Sequence, residues 1–197
     1  MAYPTVDAPY GLLPVNRIDG LPYAGAIRQI PVATGYATAI LDGDTVKISN
    51  GYIVADTSTN AATPCGVLVG CQYINSLGQT VQSQYYPAAA ATASNPAYAY
   101  VVDDPMALFK VAVVSGTTTI AGVSRDVVGS NMALVQNTGS TTTGNSAVAV
   151  LSTSSNTTNT LPVRVIDVVP ETKTGADAYV ELLVKINTHQ YNSTTGV

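Results

Sequence analysis

The chain has 197 residues, a length that suits one domain or one domain with arms, and 46% of them are hydrophobic. That share, with a net charge of only −4, excludes a disordered chain. The eight Lys and Arg residues are scattered, so we expect no nucleic-acid partner. No run of about 18 apolar residues occurs, and we expect no membrane partner. Charged residues make up only 10%, so the exposed surface must consist largely of Thr, Ser and Asn.

Prolines interrupt the first 26 residues at positions 4, 9, 14 and 22. Proline at this density blocks helices and central strands, so residues 1–26 are predicted to form an extended N-terminal arm. Tyrosines and leucines would not stay in water, and we expect the arm to lie on its own domain or on a neighbouring subunit. A loosely ordered terminus is the alternative. The candidate residues for contact with another subunit are Tyr3, Pro4, Tyr10, Leu12, Leu13 and Tyr23.

Residues 27–187 are predicted to form a single β domain, because short apolar runs alternate there with turn residues. The clearest unit is a hairpin in which Asn50 and Gly51 separate two β-prone runs, a pair that favours a type I′ turn. An Asp-Gly-Asp motif at 42–44 separates a further run, residues 37–41. Together these runs predict a meander of three strands. The Asp-Gly-Asp motif is typical of a tight turn, and a Ca²⁺ site there is the less favoured alternative because further spaced carboxylates are missing.

The strongest single strand prediction covers Gly66–Ile74, which places Val67 and Cys71 on one face and Leu68 and Gly70 on the other. Both faces are mostly apolar, so the strand is expected to be central. Further strands are predicted at residues 108–114, 132–135, 147–151 and 179–187.

The segment 179–187 alternates most cleanly: even-numbered residues from Val180 to Ile186 are predicted to point inward, and Glu181 outward. The polar stretches 137–146 and 152–160 are predicted loops, and residues 188–197 a mobile C-terminal tail. The fold class is therefore all-β, an antiparallel β-barrel or sandwich. Jelly-roll, immunoglobulin-like and other barrel topologies all remain open.

Catalytic and metal chemistry find little support in the sequence. The only histidine, His189, lies in the predicted tail, a poor place to hold a catalytic base. Cys65 and Cys71 are predicted to be buried free thiols, because a straight strand keeps them too far apart for a disulfide. With His189 distant, a metal site there lacks ligands. We predict no catalytic residue, no metal and no cofactor.

Paired carboxylates offer the one catalytic alternative. Asp103 and Asp104 precede Pro105, an arrangement typical of a turn with a capping carboxylate. A hydrolase that uses these two acids is the weaker interpretation.

Several stretches carry a family resemblance. They read AYPTVDAPYGL at 2–12, IPVATGYAT at 30–38, GVLVGCQY at 66–73, SQYYP at 83–87, VVPET at 168–172 and HQY at 189–191. In these stretches the chain resembles small virion structural proteins of tailed bacteriophages, particularly those encoded near the capsid genes of marine and cyanobacterial phages.

The resemblance implies a capsid decoration, or cement, protein that is not an enzyme. Such proteins are β-rich, often trimeric, and sit on the outer shell where capsomers meet. The implied partners are the major capsid protein and the chain itself as a homotrimer, and the implied location is the virion after synthesis in the host cytoplasm. On this interpretation the arm residues contact the capsid or a neighbouring subunit. The alternative is a tail or fibre-associated virion protein that binds the host surface.

Overall fold

The computed structural model describes residues 6–175 and 178–196, and within them the protein is all-β, with thirteen strands and five short 3-10 helices. The predicted all-β barrel fold is confirmed. The strands are β1 (Leu13–Arg17), β2 (Ile27–Val32), β3 (Thr45–Ser49), β4 (Tyr52–Ala55), β5 (Gly66–Ile74), β6 (Thr80–Ser83), β7 (Ala97–Val102), β8 (Ala107–Val114), β9 (Asn131–Met132), β10 (Leu134–Val135), β11 (Ala149–Leu151), β12 (Val163–Val168) and β13 (Glu181–Ile186). The 3-10 helices are Tyr23–Ala26, Arg125–Val127, Ser152–Ser154, Pro170–Thr172 and Gln190–Asn192.

The first barrel is built from β2 to β7. Its strands follow the order β3-β4-β2-β7-β5, and the start of β5 pairs back to β3, which closes the ring. The later part of β5 pairs with β6 as a hairpin. All of these pairings are antiparallel except β2 with β4, which is parallel, so the barrel is mixed.

The second barrel is built from β8 to β13, with β1 added from the N-terminus. The strand order is β10-β11-β8-β13-β12-β9, and only Ala133 separates β9 from β10, so the two ends of the sheet meet. On the edge opposite β13, the first half of β8 pairs with β1, and the second half pairs in parallel with β11. Residues 103–106 connect the two barrels.

Each barrel encloses an apolar cluster, and the cluster of the second barrel also includes a few residues from strands of the first, Val67 and Val102 among them. Ile53 and Tyr86 are among the large buried side chains of the first barrel, and Phe109 and Leu182 of the second. Val67 at the start of β5 packs into the second cluster rather than the first. The barrels therefore bury apolar surface against each other as well as inside themselves.

The predicted hairpin is confirmed, with Ser49 opposite Tyr52. Asn50 and Gly51 both adopt positive φ, 50° and 83°, as a type I′ turn requires. The third strand of the predicted meander is wrong: in residues 37–41 the structure has a single bridge, from Ile40 to Tyr86.

The chain fails to continue as a strand there because its backbone donors are used elsewhere. The N–H groups of Asp42 and Gly43 donate to the carbonyls of Gly144 and Leu68, which lie far away in sequence. Gly43 also lies against the backbone of Gly11 with a φ of 89°, an approach that a side chain would obstruct.

Strand β5 has the predicted bounds, but its side chains do not alternate strictly between the two faces of the sheet. The register shifts between Leu68 and Gly70, which marks Val69 as a β-bulge. A bulge adds one residue and reverses the alternation beyond it. Leu68 and Cys71 consequently lie in the same apolar cluster, whereas the sequence pattern placed them on opposite faces.

The remaining strand predictions are confirmed with adjusted ends. The segment 108–114 is β8, 132–135 is divided into β9 and β10, 147–151 contracts to β11, and 179–187 contracts to β13. The polar stretches 137–146 and 152–160 contain no strand, as predicted, although Ser152–Ser154 forms a 3-10 helix. Strand β1 falls inside the predicted arm. It tolerates Pro14 because it lies at an edge.

Candidate interaction face and buried histidine cluster

The segment that follows β1 is fastened along the connection between the two barrels. Arg17 forms an ion pair with Asp104 at 2.9 Å, and the N–H of Ile18 donates to the carbonyl of Met106. Further along, Arg28 forms an ion pair with Asp103. These contacts hold residues 17–28 beside residues 103–107.

Exposed apolar side chains concentrate on this part of the surface. Of the nine large hydrophobic side chains that are exposed within the described ranges, six belong to it. We call this surface the junction face, and its members are Leu13, Val15, Ile18, Leu21, Ile27 and Met106. Leu21 is 55% exposed and Leu13 48%. Isolated exposed apolar residues are ordinary, but several of them on neighbouring segments are typical of an interaction site.

The charges around the junction face are neutralised within the chain. Arg17 contacts Asp19 at 3.2 Å as well as Asp104, and Arg28 contacts Asp103. A surface of this kind needs no charged partner, because its charged side chains are already paired with each other. Its chemistry suits an apolar partner surface.

The free edge of β1 is poorly suited to pairing with a strand of another protein. Pro14 has no N–H to donate, and the register shift between Pro14 and Asn16 makes Val15 a bulge. Prolines and bulges are features that block edge-to-edge strand pairing. Contact at the junction face is therefore expected through side chains rather than through an added strand.

The six residues predicted from sequence to make contacts lie in different environments. Tyr3 and Pro4 are outside the described residues. Leu13 belongs to the junction face, and Tyr23 is partly buried against the core of the second barrel. Leu12 is only 1% exposed and is part of that core, so it contacts its own domain and has no free surface to offer a partner.

Tyr10, the sixth predicted residue, is half-buried and fastens the N-terminal segment to the second barrel. Its hydroxyl donates to Oε1 of Glu181, and the same oxygen accepts from Nζ of Lys110 at 3.3 Å. Lys110 also lies 5.7 Å from the centroid of the Tyr10 ring. Burial, with the adjacent Glu181 carboxylate, raises the pKa of Tyr10.

Glu181 lies on the outward face of β13, as predicted, but it is not exposed there, because its side chain lies beneath Tyr10. Glu181 is 4% exposed. The alternation of β13 is otherwise as predicted, with Val180, Leu182, Val184 and Ile186 buried. We call Tyr10, Glu181 and Lys110 the N-terminal anchor.

The prediction of a mobile tail is also wrong for residues 188–192, which we call the strap. Thr188 Oγ1 donates to the carbonyl of Ala62 at 2.6 Å. The Gln190 side chain bonds both backbone groups of Ile48, accepting from its N–H at 2.8 Å and donating to its carbonyl at 3.1 Å. These three hydrogen bonds, made by the Thr188 and Gln190 side chains, hold the strap across the first barrel.

Tyr191 ties the strap to the edge of the junction face. Its hydroxyl donates to Oδ2 of Asp103 at 2.9 Å, and the Arg28 guanidinium lies 5.3 Å from the centroid of its ring. We call Tyr191, Asp103 and Arg28 the C-terminal anchor. Burial and the Asp103 carboxylate raise the pKa of Tyr191.

His189 is the most buried polar residue of the strap, at 1% exposure. Its Nδ1 accepts from the N–H of Tyr191 at 3.2 Å and caps the 3-10 helix that follows. Nδ1 is therefore unprotonated and Nε2 carries the proton, yet Nε2 is buried with no partner in hydrogen-bond geometry. Burial lowers the pKa of His189 to about 4, although the negative charges of Asp103 and Asp104 act to raise it.

The fold brings His189 next to Cys65, so the inference that this histidine is distant from the cysteines is wrong. The N–H of Gln190 donates to the carbonyl of Pro64, which places the strap over Cys65. Both cysteines are buried and free, as predicted. Burial raises the pKa of the Cys65 thiol to about 12, the opposite of what a nucleophilic thiol requires.

The carboxylates beside the cleft between the barrels are engaged by the chain itself. A cleft of about 430 Å³ between the barrels is lined in part by Asp44 and Asp56. Asp44 accepts from the N–H of Leu41 and Asp56 from the N–H of Thr63, each at 2.8 Å. Across residues 6–175 and 178–196, no three His, Cys, Asp or Glu side chains are grouped so as to hold a metal ion.

Asp104 occupies a turn, as its position before Pro105 predicts. Its Oδ1 accepts from the N–H of Met106 at 2.8 Å, and its carbonyl accepts from the N–H of Ala107 at 3.0 Å. Asp103 and Asp104 therefore serve turn, ion-pair and anchor contacts.

Comparison of the chain with protein-family models, with curated proteins and with solved structures gave no match. Within the described ranges, no helix has the length and apolar character needed to cross a membrane.

Sequence reasoning missed Ile18, Leu21, Ile27 and Met106 as members of an exposed apolar surface. A signal was present in the stretch Ile-Asp-Gly-Leu at 18–21, where apolar residues flank a turn motif.

Proposed function

We propose that the chain is a structural virion protein that decorates and cements the outer surface of a tailed-phage capsid by stabilising contacts between neighbouring major capsid proteins. The junction face is the observation that carries the proposal. It joins exposed apolar side chains to ion pairs that are already satisfied, as a long-lived protein contact requires.

Two further features support this function. The all-β scaffold with two closed barrels is suited to resist outward pressure from a filled shell. The sparsely charged surface produces weak repulsion between copies, which suits dense packing on a lattice. The resemblance to small virion proteins points in the same direction.

The proposal includes assembly as a homotrimer on the capsid. A trimer would present three junction faces to a symmetric shell, and each contact after the first would form at high effective concentration. Contacts of modest individual strength would then give durable attachment. The virion surface is the proposed location, after synthesis in the host cytoplasm.

The first test is the copy number of the chain in gradient-purified particles, measured by quantitative mass spectrometry against the major capsid protein. We expect a ratio within a few-fold of one. A handful of copies per particle would assign the chain to the tail or a fibre, and its absence from particles would contradict a virion role altogether.

The second test locates the contact. The double variant Ile18→Ser/Leu21→Ser removes two exposed apolar side chains from the junction face, and Tyr52→Ser/Leu77→Ser removes two from elsewhere on the surface. We expect the first variant to bind stripped capsids at least about tenfold more weakly in a sedimentation assay, and the second to bind normally.

Substitutions are preferable to deletion of the N-terminal segment. Leu12 and β1 are structural parts of the second barrel, so deletion would unfold it and remove binding for an unrelated reason. Equal binding by the two double variants would exclude the junction face as the capsid contact.

A further inference from the structure

The strap lies over the buried thiol of Cys65 and is held in part by His189. The protonation state of His189 decides whether the strap can stay in this position. The imidazole of His189 must be neutral to accept from the N–H of Tyr191, because a protonated Nδ1 would present a donor to a donor. Its Nε2 has no partner in hydrogen-bond geometry. A protonated imidazole would therefore bury a positive charge whose Nδ1 donor faces the N–H of Tyr191. The backbone groups of Cys65 and Asp103 favour the charged imidazole, but the effect of burial is larger.

The charged groups around His189 are already committed to other contacts. Asp103, the nearest carboxylate that could stabilise an imidazolium, accepts from Tyr191 and pairs with Arg28. Asp104 is paired with Arg17. The remaining neighbour, Cys65, is a neutral thiol. To pair with a protonated His189, Asp103 would have to give up the bonds that hold the strap.

We propose that the strap is a pH-operated cover: protonation of His189 releases residues 188–192 from the first barrel and exposes the Cys65 thiol. The inference does not depend on the proposed virion function, because it rests on contacts within one chain. Its consequence is a conformational change in acid that leaves both barrels folded.

The direction follows from proton linkage. A solvent-exposed imidazole has a pKa near 6.5, and burial lowers the pKa of His189 to about 4. The open strap therefore binds the proton more tightly than the closed one, so closure is complete above pH 6.5 and weakens as the pH falls. The closing equilibrium therefore falls by about 80-fold between pH 6.5 and pH 4, and by at most about 300-fold in stronger acid.

The native cysteines supply a reporter and its control. Cys65 follows Pro64, whose carbonyl accepts from the strap, whereas the Cys71 thiol donates to the carbonyl of Tyr85 at 2.9 Å and has no bond to the strap among the contacts described. Burial raises the pKa of both thiols to about 12, so their ordinary pH responses match. Opening of the strap exposes Cys65 alone, and global unfolding exposes both.

The experiment measures the labelling rates of the two thiols by 4,4′-dithiodipyridine, with peptide mass spectrometry to separate the sites. We expect the Cys65-to-Cys71 ratio to be constant between pH 7 and 8 and to rise at least tenfold by pH 4.5. A ratio that stays constant down to pH 4.5 would overturn the proposal.

The variant His189→Asn assigns the effect to the histidine. Asparagine is a good capping residue that keeps an acceptor for the N–H of Tyr191 and cannot titrate. We expect the Cys65-to-Cys71 labelling ratio of this variant to be independent of pH, whether the ratio itself is higher or lower than in the wild type. A rise in acid as large as that of the wild type would assign the response to Asp103 or Asp104 and contradict the proposal.

Amide exchange gives an independent reading if the asparagine variant is too unstable to label. The N–H of Ile48 donates to Gln190 and that of Tyr191 to His189, whereas the N–H of Ala55 donates to Tyr36 within the barrel. We expect protection of Ile48 and Tyr191, corrected for intrinsic rate, to fall in acid while Ala55 stays protected. Parallel loss at all three amides would mean global unfolding and would overturn the proposal.

Discussion

The two ends of the chain are fastened by the same chemistry in different surroundings. In the N-terminal anchor Tyr10 donates to Glu181, which pairs with Lys110. In the C-terminal anchor Tyr191 donates to Asp103, which pairs with Arg28. In each, the cation also lies over the tyrosine ring, at 5.7 Å and 5.3 Å.

The surroundings decide how firmly each end is held. Next to Tyr10, the chain continues into Leu12, which is buried in the second core, and then into β1. Next to Tyr191 stands His189, a buried titratable group with an unpartnered nitrogen. A tyrosine-carboxylate-cation set thus makes a permanent fastening when a core side chain supports it, and a reversible one when a histidine does.

The largest expected effect tests whether the N-terminal segment is structural. We expect Leu12→Ala to lower the free energy of unfolding by about 3 kcal/mol, because it empties a fully buried site in the second core. Denaturant unfolding at pH 7 measures it. Leu13→Ala, at the adjacent exposed position, is the matched control and should change stability by less than about 0.5 kcal/mol. Equal, small effects would mean that the segment is a detachable arm.

The next effect compares the two carboxylates. We expect Glu181→Gln to lower the free energy of unfolding by about 2 kcal/mol and Asp103→Asn to lower it by about 1 kcal/mol. A hydrogen bond to a buried charge stabilises the fold more than one to an ion pair that solvent screens. The Arg28 side chain is 56% exposed, against 32% for Lys110, so solvent screens the C-terminal pair more strongly. Denaturant unfolding of the two variants gives both values, and the reverse order would show that burial does not distinguish the anchors.

Sequence patterns predicted the parts of this molecule that depend on local chemistry. Asn50 and Gly51 specify their turn through positive φ, and β5 and β13 follow from runs of apolar residues. Residues 37–41 also form a β-prone run, but the neighbouring N–H groups donate to Leu68 on β5 and to Gly144 in a distant turn. Local pattern carries no information about such long-range partners.

The buried polar groups escaped prediction for a related reason. Glu181 occupies an outward position of β13 and becomes buried only because Tyr10, 171 residues away, covers it. His189 follows a strand in a polar stretch that is typical of a tail, and its burial depends on Ala62, Pro64 and Ile48. Of the predicted contact residues, Leu13 is on the junction face, where it and Val15 are both exposed on the same side of β1.

The smallest expected effect asks whether the two anchors act independently. Tyr191→Phe removes the hydroxyl that donates to Asp103 and accepts from Arg28, but it keeps the ring beside Arg28, so we expect a loss of about 1 kcal/mol confined to the strap. At pH 7 that loss should speed labelling of Cys65 about fivefold and leave Cys71 unchanged. Tyr10→Phe makes the same chemical change at the other end of the chain, and because the two sites share no residue it should leave the labelling ratio as it is. Faster labelling of Cys65 in the Tyr10 variant would mean that the N-terminal anchor also holds the strap, through the packing between the barrels, and that the two ends open together.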